Sequence, residues 1–115
     1  MSLDLTFPLR LARGGNDRDG HWRARDRRVK SERESVAWML VGAPIPATPC
    51  TVLITRIAPG NGLDDDNLAG ACKAVRDEFS KWIGVNDRRS DIVKYTYDQR
   101  RGTKGEWGVR IQVLA

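Results

Sequence analysis

The chain has few of the residues that build zinc sites or disulfide scaffolds. Its 115 residues include two cysteines and one histidine. Because a structural zinc site takes four Cys or His ligands, no such site is expected. Cys50 adjoins an apolar run and Cys72 falls on an apolar helical stripe, so both are predicted to be buried thiols. The lone His21 has no partner that would make a Ser-His or Cys-His nucleophile.

Long hydrophobic runs are also missing. No stretch approaches the ~18 apolar residues of a membrane span, and the N-terminus lacks the charged-then-apolar order of a signal peptide. We therefore predict a cytoplasmic protein with no membrane partner. The chain has no Gly-Lys-Ser/Thr phosphate-binding loop, and no small-molecule cofactor is expected. Its length fits a single domain, residues 1–115.

Charge, in contrast, is abundant and unbalanced. Twenty Lys and Arg against fifteen Asp and Glu give a net charge of +5. A basic balance of this kind suggests a polyanionic partner. Hydrophobic residues make up 40% of the chain and include four Trp, which is enough for a folded core and argues against disorder.

Hydrophobic periodicity predicts four strands and two helices. The strands are expected at 3–11, 51–57, 91–97 and 107–114, and the helices at 21–41 and 65–82. Glycines and turn-forming residues at 13–20 predict a loop, and Gly84 is expected to end the second helix. A basic segment at 99–106 is interpreted as a hairpin turn between the last two strands. The order β-α-β-α-β-β predicts an α+β domain with both helices packed on a small mixed sheet.

The strongest local signal is the sequence LDDDN at residues 63–67, which we call the acidic motif. Three adjacent carboxylates repel one another, so their placement between a strand and a helix requires a reason. Aspartates favour helix N-termini, where one caps free N–H groups and another complements the helix dipole. Capping and the helix dipole explain one or two of the aspartates, whereas three followed by Asn suggest a site for a hard cation.

A second acidic group follows the second helix. Asn86 and Asp87 come just after Gly84, and Asp91 precedes the next strand. A helix and its flanking turns can fold so that such a residue approaches a neighbouring strand end. The spacing alone does not show whether Asp87 meets the acidic motif, and an ordinary solvated turn is the alternative.

Taken together, these motifs resemble the RusA family of Holliday junction resolvases. The resemblance lies in Asp64-x-Asp66-Asn67-Leu68, in a following helix with Lys73 and Asp77, and in Gly84-Val85-x-Asp87 before a strand. Asn16 followed by His21-Trp22 also resembles the entry to the first helix of that family. The resemblance extends over essentially the whole chain.

The resemblance implies a small homodimer that binds four-way DNA junctions and cuts them in pairs with Mg²⁺, or Mn²⁺ in its place. By position, Asp64, Asp66 and Asp87 would coordinate the metal. The family lysine stands four residues after the second Asp, where this chain has Gly70, so the role passes to Lys73, one helical turn further on. The acidic turn reads Asn86-Asp87 rather than Asp-Asp, and Asp91 is an alternative third carboxylate.

The chemistry of phosphodiester hydrolysis suits these residue types. A divalent ion bound by carboxylates can make water nucleophilic and stabilise charge on the phosphate and the leaving oxygen. One or two such ions are compatible with the motif. A nearby lysine, here Lys73, can stabilise the transition state.

Two clusters of basic residues are candidates for binding DNA phosphates. The first basic cluster is Arg23, Arg27 and Lys30, which share one face of the first predicted helix, and the second is Arg100, Arg101 and Lys104. A solvated charged face is the alternative for each. The sequence thus favours a metal-dependent endodeoxyribonuclease that acts on branched DNA in recombination or repair. The rival hypothesis is a non-catalytic DNA-binding protein of the same fold, and the departures at Gly70 and Asn86 favour it.

Overall fold

The computed structural model describes residues 3–11 and 22–114, and it is an α+β fold with three helices and a four-stranded mixed sheet. In chain order the elements are β1 (Asp4–Phe7), α1 (Trp22–Leu40), β2 (Cys50–Ala58), α2 (Asp65–Ala71), α3 (Lys73–Ile83), β3 (Val93–Arg101) and β4 (Gly108–Leu114). The predicted class is confirmed. The predicted loop at 13–20, His21 and Asn16 lie outside the described residues.

The strand order in the sheet is β1-β4-β2-β3. β2 pairs with β3 in parallel, and β4 is antiparallel to both of its neighbours, β1 and β2. The predicted hairpin between the last two strands is therefore wrong, because β2 lies between them. Segment 102–107 instead crosses the end of β2, where the Gly102 N–H donates to the Ala58 carbonyl at 2.9 Å.

Side-chain character explains which of these strands is central. Val109, Ile111 and Val113 of β4 are all buried, as are Val52 and Ile54 of β2, and these two strands are the central ones. β3 alternates with exposed Lys94 and Asp98 and can occupy an edge. Local alternation predicts both strands but does not reveal which partner each one takes.

The helices cover one face of the sheet. Val52 and Ile54 of β2 are fully buried, as is Phe79 of α3, which packs edge-on against Tyr95 of β3 with ring centroids 6.3 Å apart. Burial of such side chains is the main stabilising contribution to a domain of this size. The opposite face carries polar residues such as Asp98 and Arg110 and has no helix over it in the described structure.

The second predicted helix is broken into two. Cys72 has φ −89° and ψ 0°, and its N–H contacts both the Gly70 and the Leu68 carbonyls, so this single residue interrupts the helix between α2 and α3. Gly84 ends α3 with φ 78°, a left-handed conformation that favours glycine, and this confirms the predicted stop. Cys50 and Cys72 are buried free thiols, as predicted, and burial raises the pKa of Cys72 to about 12.

Helix α1 packs along only part of its length. Val36 and Leu40 are fully buried, whereas residues 23–27 are exposed and Val29 is half-buried. The predicted apolar stripe through Trp22, Val29 and Val36 is therefore buried completely only at Val36; the side chain of Trp22 lies outside the described part. Across the ranges 3–11 and 22–114, no helix combines the length and apolar character needed to cross a membrane.

Candidate functional site

The acidic motif lies where the chain leaves β2 and enters α2, at the carboxyl end of the parallel pair β2–β3. Asp64 is the N-cap of α2: its Oδ1 accepts the Asn67 N–H at 2.9 Å. Asp65 and Asp66 begin the helix, and all three carboxylates are exposed. Capping thus accounts for one of the three aspartates. Within the described chain, neither Asp65 nor Asp66 is paired with a cation.

A side chain from β3 fixes the position of this motif. The Leu63 N–H donates to Gln99 Oε1 at 2.8 Å, and Gln99 Nε2 donates back to the Leu63 carbonyl at 2.7 Å. The close approach depends on Gly62, because a Cβ there would lie 2.9 Å from both Cδ and Oε1 of Gln99. Sequence reasoning missed Gln99, since a single polar residue within an expected turn gives no signal of a long-range contact.

The second basic cluster lies at the same edge of the sheet. Arg100 and Arg101 end β3, directly after Gln99, and Lys104 is in the connection that crosses β2. All three are exposed, and Arg100 is 3.4 Å from Glu106 Oε2. Sequence reasoning placed these residues in a hairpin turn; the structure instead places two of them on the strand that anchors the acidic motif.

The first basic cluster lies on the exposed N-terminal half of α1. A groove of about 830 Å³ separates α1 from α2 and α3, and its lining includes Arg25 and Lys30 from α1 with Gly70 and Lys73 from the other wall. Farther along, Arg33 Nε pairs with Glu78 Oε1 at 3.2 Å and fixes the two walls. The basic half of α1 therefore faces α2 and α3 across this groove.

Lys73, the predicted catalytic lysine, lines this groove rather than the turn that follows α3. It is exposed and opens α3. Gly70, at the position where the family has its lysine, is exposed, and a side chain added there would meet nothing within 4 Å.

Asp87, the predicted third carboxylate, has a protein cation beside it. Arg76 Nη2 lies 3.3 Å from Asp87 Oδ2 and 3.4 Å from Asp77 Oδ1, and all three side chains are about one-third exposed or less. Burial works against the charge of Arg76. The hydrogen bond that Arg76 donates to the Tyr97 oxygen, together with electrostatic interactions with Tyr97, Asp77 and Asp87, outweighs burial, and the pKa of the guanidinium is raised. We call Arg76, Asp77, Asp87 and Tyr97 the Arg76 cluster.

A single chain does not bring the predicted metal ligands together. Among the residues that the structure describes, no group of three Asp, Glu, His or Cys side chains is arranged to bind one ion. Asp87 lies near Asp77, because both contact Arg76. Asp77 is eleven residues from Asp66 on consecutive helices, which corresponds to about 16 Å along the helix axis. Asp91, the alternative, is exposed and forms two hydrogen bonds with Arg89, each 3.0 Å long.

A buried arginine near the carboxyl end of β2 contacts two other segments of the chain. Arg56 Nε donates to the Leu11 carbonyl at 2.7 Å, and its guanidinium carbon is 5.5 Å from the centre of the Trp107 ring. Arg10 lies 4.8 Å from the centre of the same ring. Burial lowers the pKa of Arg56. These contacts join the segment after β1, the end of β2 and the crossing connection into one supporting layer.

Comparison of the chain with protein-family models and with curated proteins gives no match.

Proposed function

We propose that this chain is an endonuclease that uses Mg²⁺ or Mn²⁺ to cut branched DNA. The substrate class, four-way junctions, is the one that the resemblance to the RusA family implies. The observation that supports the proposal most directly is the arrangement at one edge of the sheet. In the described residues, the exposed carboxylates of Asp65 and Asp66 have no protein cation beside them, and they follow Leu63, which is held by Gln99 next to the exposed Arg100 and Arg101.

The donor set of the acidic motif fits a hard divalent ion. Asp66 has both oxygens available, and Asp64 uses only Oδ1 for its cap, so carboxylate oxygens of the kind that Mg²⁺ prefers are exposed on one turn. Such an ion supplies a nucleophilic water and stabilises the charge that develops on the phosphate. Asp64 and Asp66 would hold such an ion. Gln99 fixes the preceding Leu63, and the two basic clusters would provide contacts for DNA phosphates.

In this proposal Asp87 is the third carboxylate and Lys73 is the residue that stabilises the transition state. Asp87 would have to leave Arg76 and cross the distance between the Arg76 cluster and the acidic motif to reach the ion. Paired cuts across a junction need two sites related by symmetry, which a homodimer supplies.

The test compares two neighbouring aspartates. Asp66→Asn should reduce the cutting of an end-labelled synthetic four-way junction in Mg²⁺ by at least about 100-fold, the effect of losing an electrostatic catalytic group. Asp65→Asn is the matched control, since it removes the same charge from the adjacent exposed position and should cut within a few-fold of wild type. Both variants should bind the junction in EDTA as well as wild type does.

Divalent-ion binding can be measured separately from cutting. Mg²⁺ or Mn²⁺ should raise the thermal midpoint of the wild-type protein by relieving repulsion between carboxylates, and should raise that of Asp66→Asn less. Equal cutting by Asp66→Asn and wild type, or a midpoint that does not respond to either ion, would contradict the proposal.

The second candidate is a DNA-binding protein that does not cut. The observation that favours it is the Arg76 cluster, in which a protein cation already compensates Asp87, together with Gly70 at the position of the family lysine. Wild-type protein that binds the junction in a salt-dependent manner but leaves it intact in both Mg²⁺ and Mn²⁺ would establish this alternative.

A further inference from the structure

The two edges of the sheet differ in how well they can accept another strand. β1 is four residues long, whereas β3 has nine residues with neither Pro nor Gly, and no strand lies beyond it in the described sheet. A long regular edge is a template for pairing unless it is covered or bent.

The parallel ladder shows which backbone groups of β3 are directed outward. Cys50 is the partner of Val93, and its N–H donates to the Ile92 carbonyl at 2.9 Å. Even-numbered residues of β3 therefore direct their N–H and C=O groups to β2, and odd-numbered ones direct theirs away from it. The Val93 and Gln99 N–H groups bond locally, to the Arg89 carbonyl and to Asp98 Oδ1. Tyr95 and Tyr97 form the middle of the edge.

We propose that β3 pairs antiparallel with β3 of a second copy of this chain, about a twofold axis at Thr96. In this register the outward groups of Tyr95 meet those of Tyr97 from the partner, and the reciprocal pair forms across the axis. Lys94 lies opposite Asp98 of the partner on the open face of the sheet, and this contact also occurs twice. The two sheets become one of eight strands.

Charge selects this register from its neighbours. Because only odd-numbered residues direct their backbone groups outward, an odd-numbered residue must pair with an odd-numbered one. The twofold axis can therefore pass through any residue of β3 but not between two residues. An axis at Tyr97 places Lys94 opposite Arg100 of the second copy, which brings two positive charges together. An axis at Asp98 places this carboxylate opposite the same carboxylate of the second copy. An axis at Tyr95 forms fewer pairs. An axis at Gln99 sets Asp98 against Arg100 but pairs only residues 97–101. Of the registers that pair residues over most of β3, only the axis at Thr96 joins opposite charges, and opposite-charge pairs stabilise adjacent strands whereas like charges destabilise them.

Both charged side chains are exposed in the single chain, and in the described residues Lys94 has no ionic partner of its own. The homodimer that the family resemblance implies does not specify any interface, and the pairing of β3 does not depend on nuclease activity. It can therefore be tested without DNA or metal, and a dimer that forms through a different surface would overturn the pairing of β3 while leaving the proposed function standing.

Charge reversal tests the register. Wild-type protein should sediment as a dimer at micromolar concentration. Lys94→Asp and Asp98→Lys should each weaken the dimer at least about tenfold, because each creates two like-charge contacts. The double variant, with both charges exchanged, should recover dimerisation, because it restores opposite charges across the axis. A variant that merely misfolds would not be rescued by a second substitution.

Cross-linking tests the position of the axis. Thr96 faces its own copy in a non-hydrogen-bonded pair, with Cα atoms about 4.5 Å apart, within the range that a disulfide spans. Thr96→Cys should form a covalent dimer on mild oxidation, whereas the control Thr55→Cys, on the same face of the central strand β2, should not. Wild-type protein that is still monomeric at about 100 μM would have a dimer affinity no better than that of a weak encounter, and this result would overturn the proposal. So would a dimer that single charge reversals leave unchanged and that Thr96→Cys does not cross-link.

Discussion

The acidic motif and the Arg76 cluster use the same side chain, aspartate, in opposite surroundings. In the motif, Asp65 and Asp66 are exposed and have no cation beside them in the described chain. In the cluster, Asp77 and Asp87 share one half-buried guanidinium. The difference shows that a carboxylate is available for an external cation only where the fold has not already supplied one. Sequence spacing does not distinguish the two groups, because it does not show that Arg76 lies beside Asp77 and Asp87.

The largest effect is expected from a substitution that breaks the hydrogen bonds between Gln99 and Leu63 at the start of the acidic motif. Gly62→Ala should displace the Gln99 amide, break both hydrogen bonds to Leu63 and lower the free energy of unfolding by about 1–3 kcal/mol. It should also abolish junction cutting. Gly70→Ala is the matched control: no atom lies within 4 Å of the added Cβ, and alanine in a helix should leave stability unchanged or raise it by up to about 1 kcal/mol. Urea unfolding of both variants measures the difference; equal losses would contradict the role of Gln99.

The same substitution in the two acidic groups should act in opposite directions. Asp87→Asn should lower the free energy of unfolding by up to about 1 kcal/mol, the value of a partly exposed ion pair, because it removes a partner of Arg76. Asp66→Asn should leave stability unchanged or raise it slightly, since it removes one of three like charges. Chemical denaturation at low ionic strength compares them. A loss in Asp66→Asn as large as that in Asp87→Asn would mean that the two groups do not differ.

The basic residues of α1 should contribute to DNA affinity uniformly. Arg27→Ala should weaken binding to junction and duplex alike, and should reduce the magnitude of the salt slope by about one unit if Arg27 contacts one phosphate. Folding should change by no more than about 0.5 kcal/mol, because the residue is exposed. Titrations at three salt concentrations decide this. An unchanged slope would indicate an ordinary solvated face.

A third acidic environment extends the comparison and should give the smallest effect. Glu32 is buried, 3.6 Å from Arg28, and burial raises the pKa of its carboxyl above the usual range, an effect that Arg28 partly offsets. The folded state then binds more protons than the unfolded state between the normal pKa and the raised one. Stability therefore falls as the pH rises through that window, and the cost persists above it.

Glu32→Gln should accordingly raise the thermal midpoint at pH 7, and the gain should shrink as the pH falls through the raised pKa towards the normal one. Glu34→Gln, on the exposed side of the same helix, is the control and should show no such dependence. A gain that is constant with pH would show that the titration of Glu32 is not its cause.

Sequence patterns predicted the elements well where each element is specified locally. The β-branched run gave β2 within a residue at each end, and the αL glycine at Gly84 ended α3 where expected. The interruption at Cys72 was not predicted, because cysteine is compatible with a continuous helix and the interruption appears only in the backbone geometry of this residue. The hairpin was wrong because two alternating strands with a glycine turn between them look the same whether they pair with each other or with a third strand.

The candidate site divides in the same way. The sequence by itself determined the class of fold, the expectation that one aspartate of the motif caps a helix, and the presence of acidic and basic groups suited to a hard cation and to phosphates. These follow from backbone propensity and side-chain chemistry, which act over a few residues. Only the tertiary structure decided that Gln99 supports Leu63, that Arg76 compensates Asp87, and that β3 is an edge. Each of these depends on residues far apart in the chain meeting across the sheet, and which groups meet is set by how β4 inserts beside β2 to bury its apolar face.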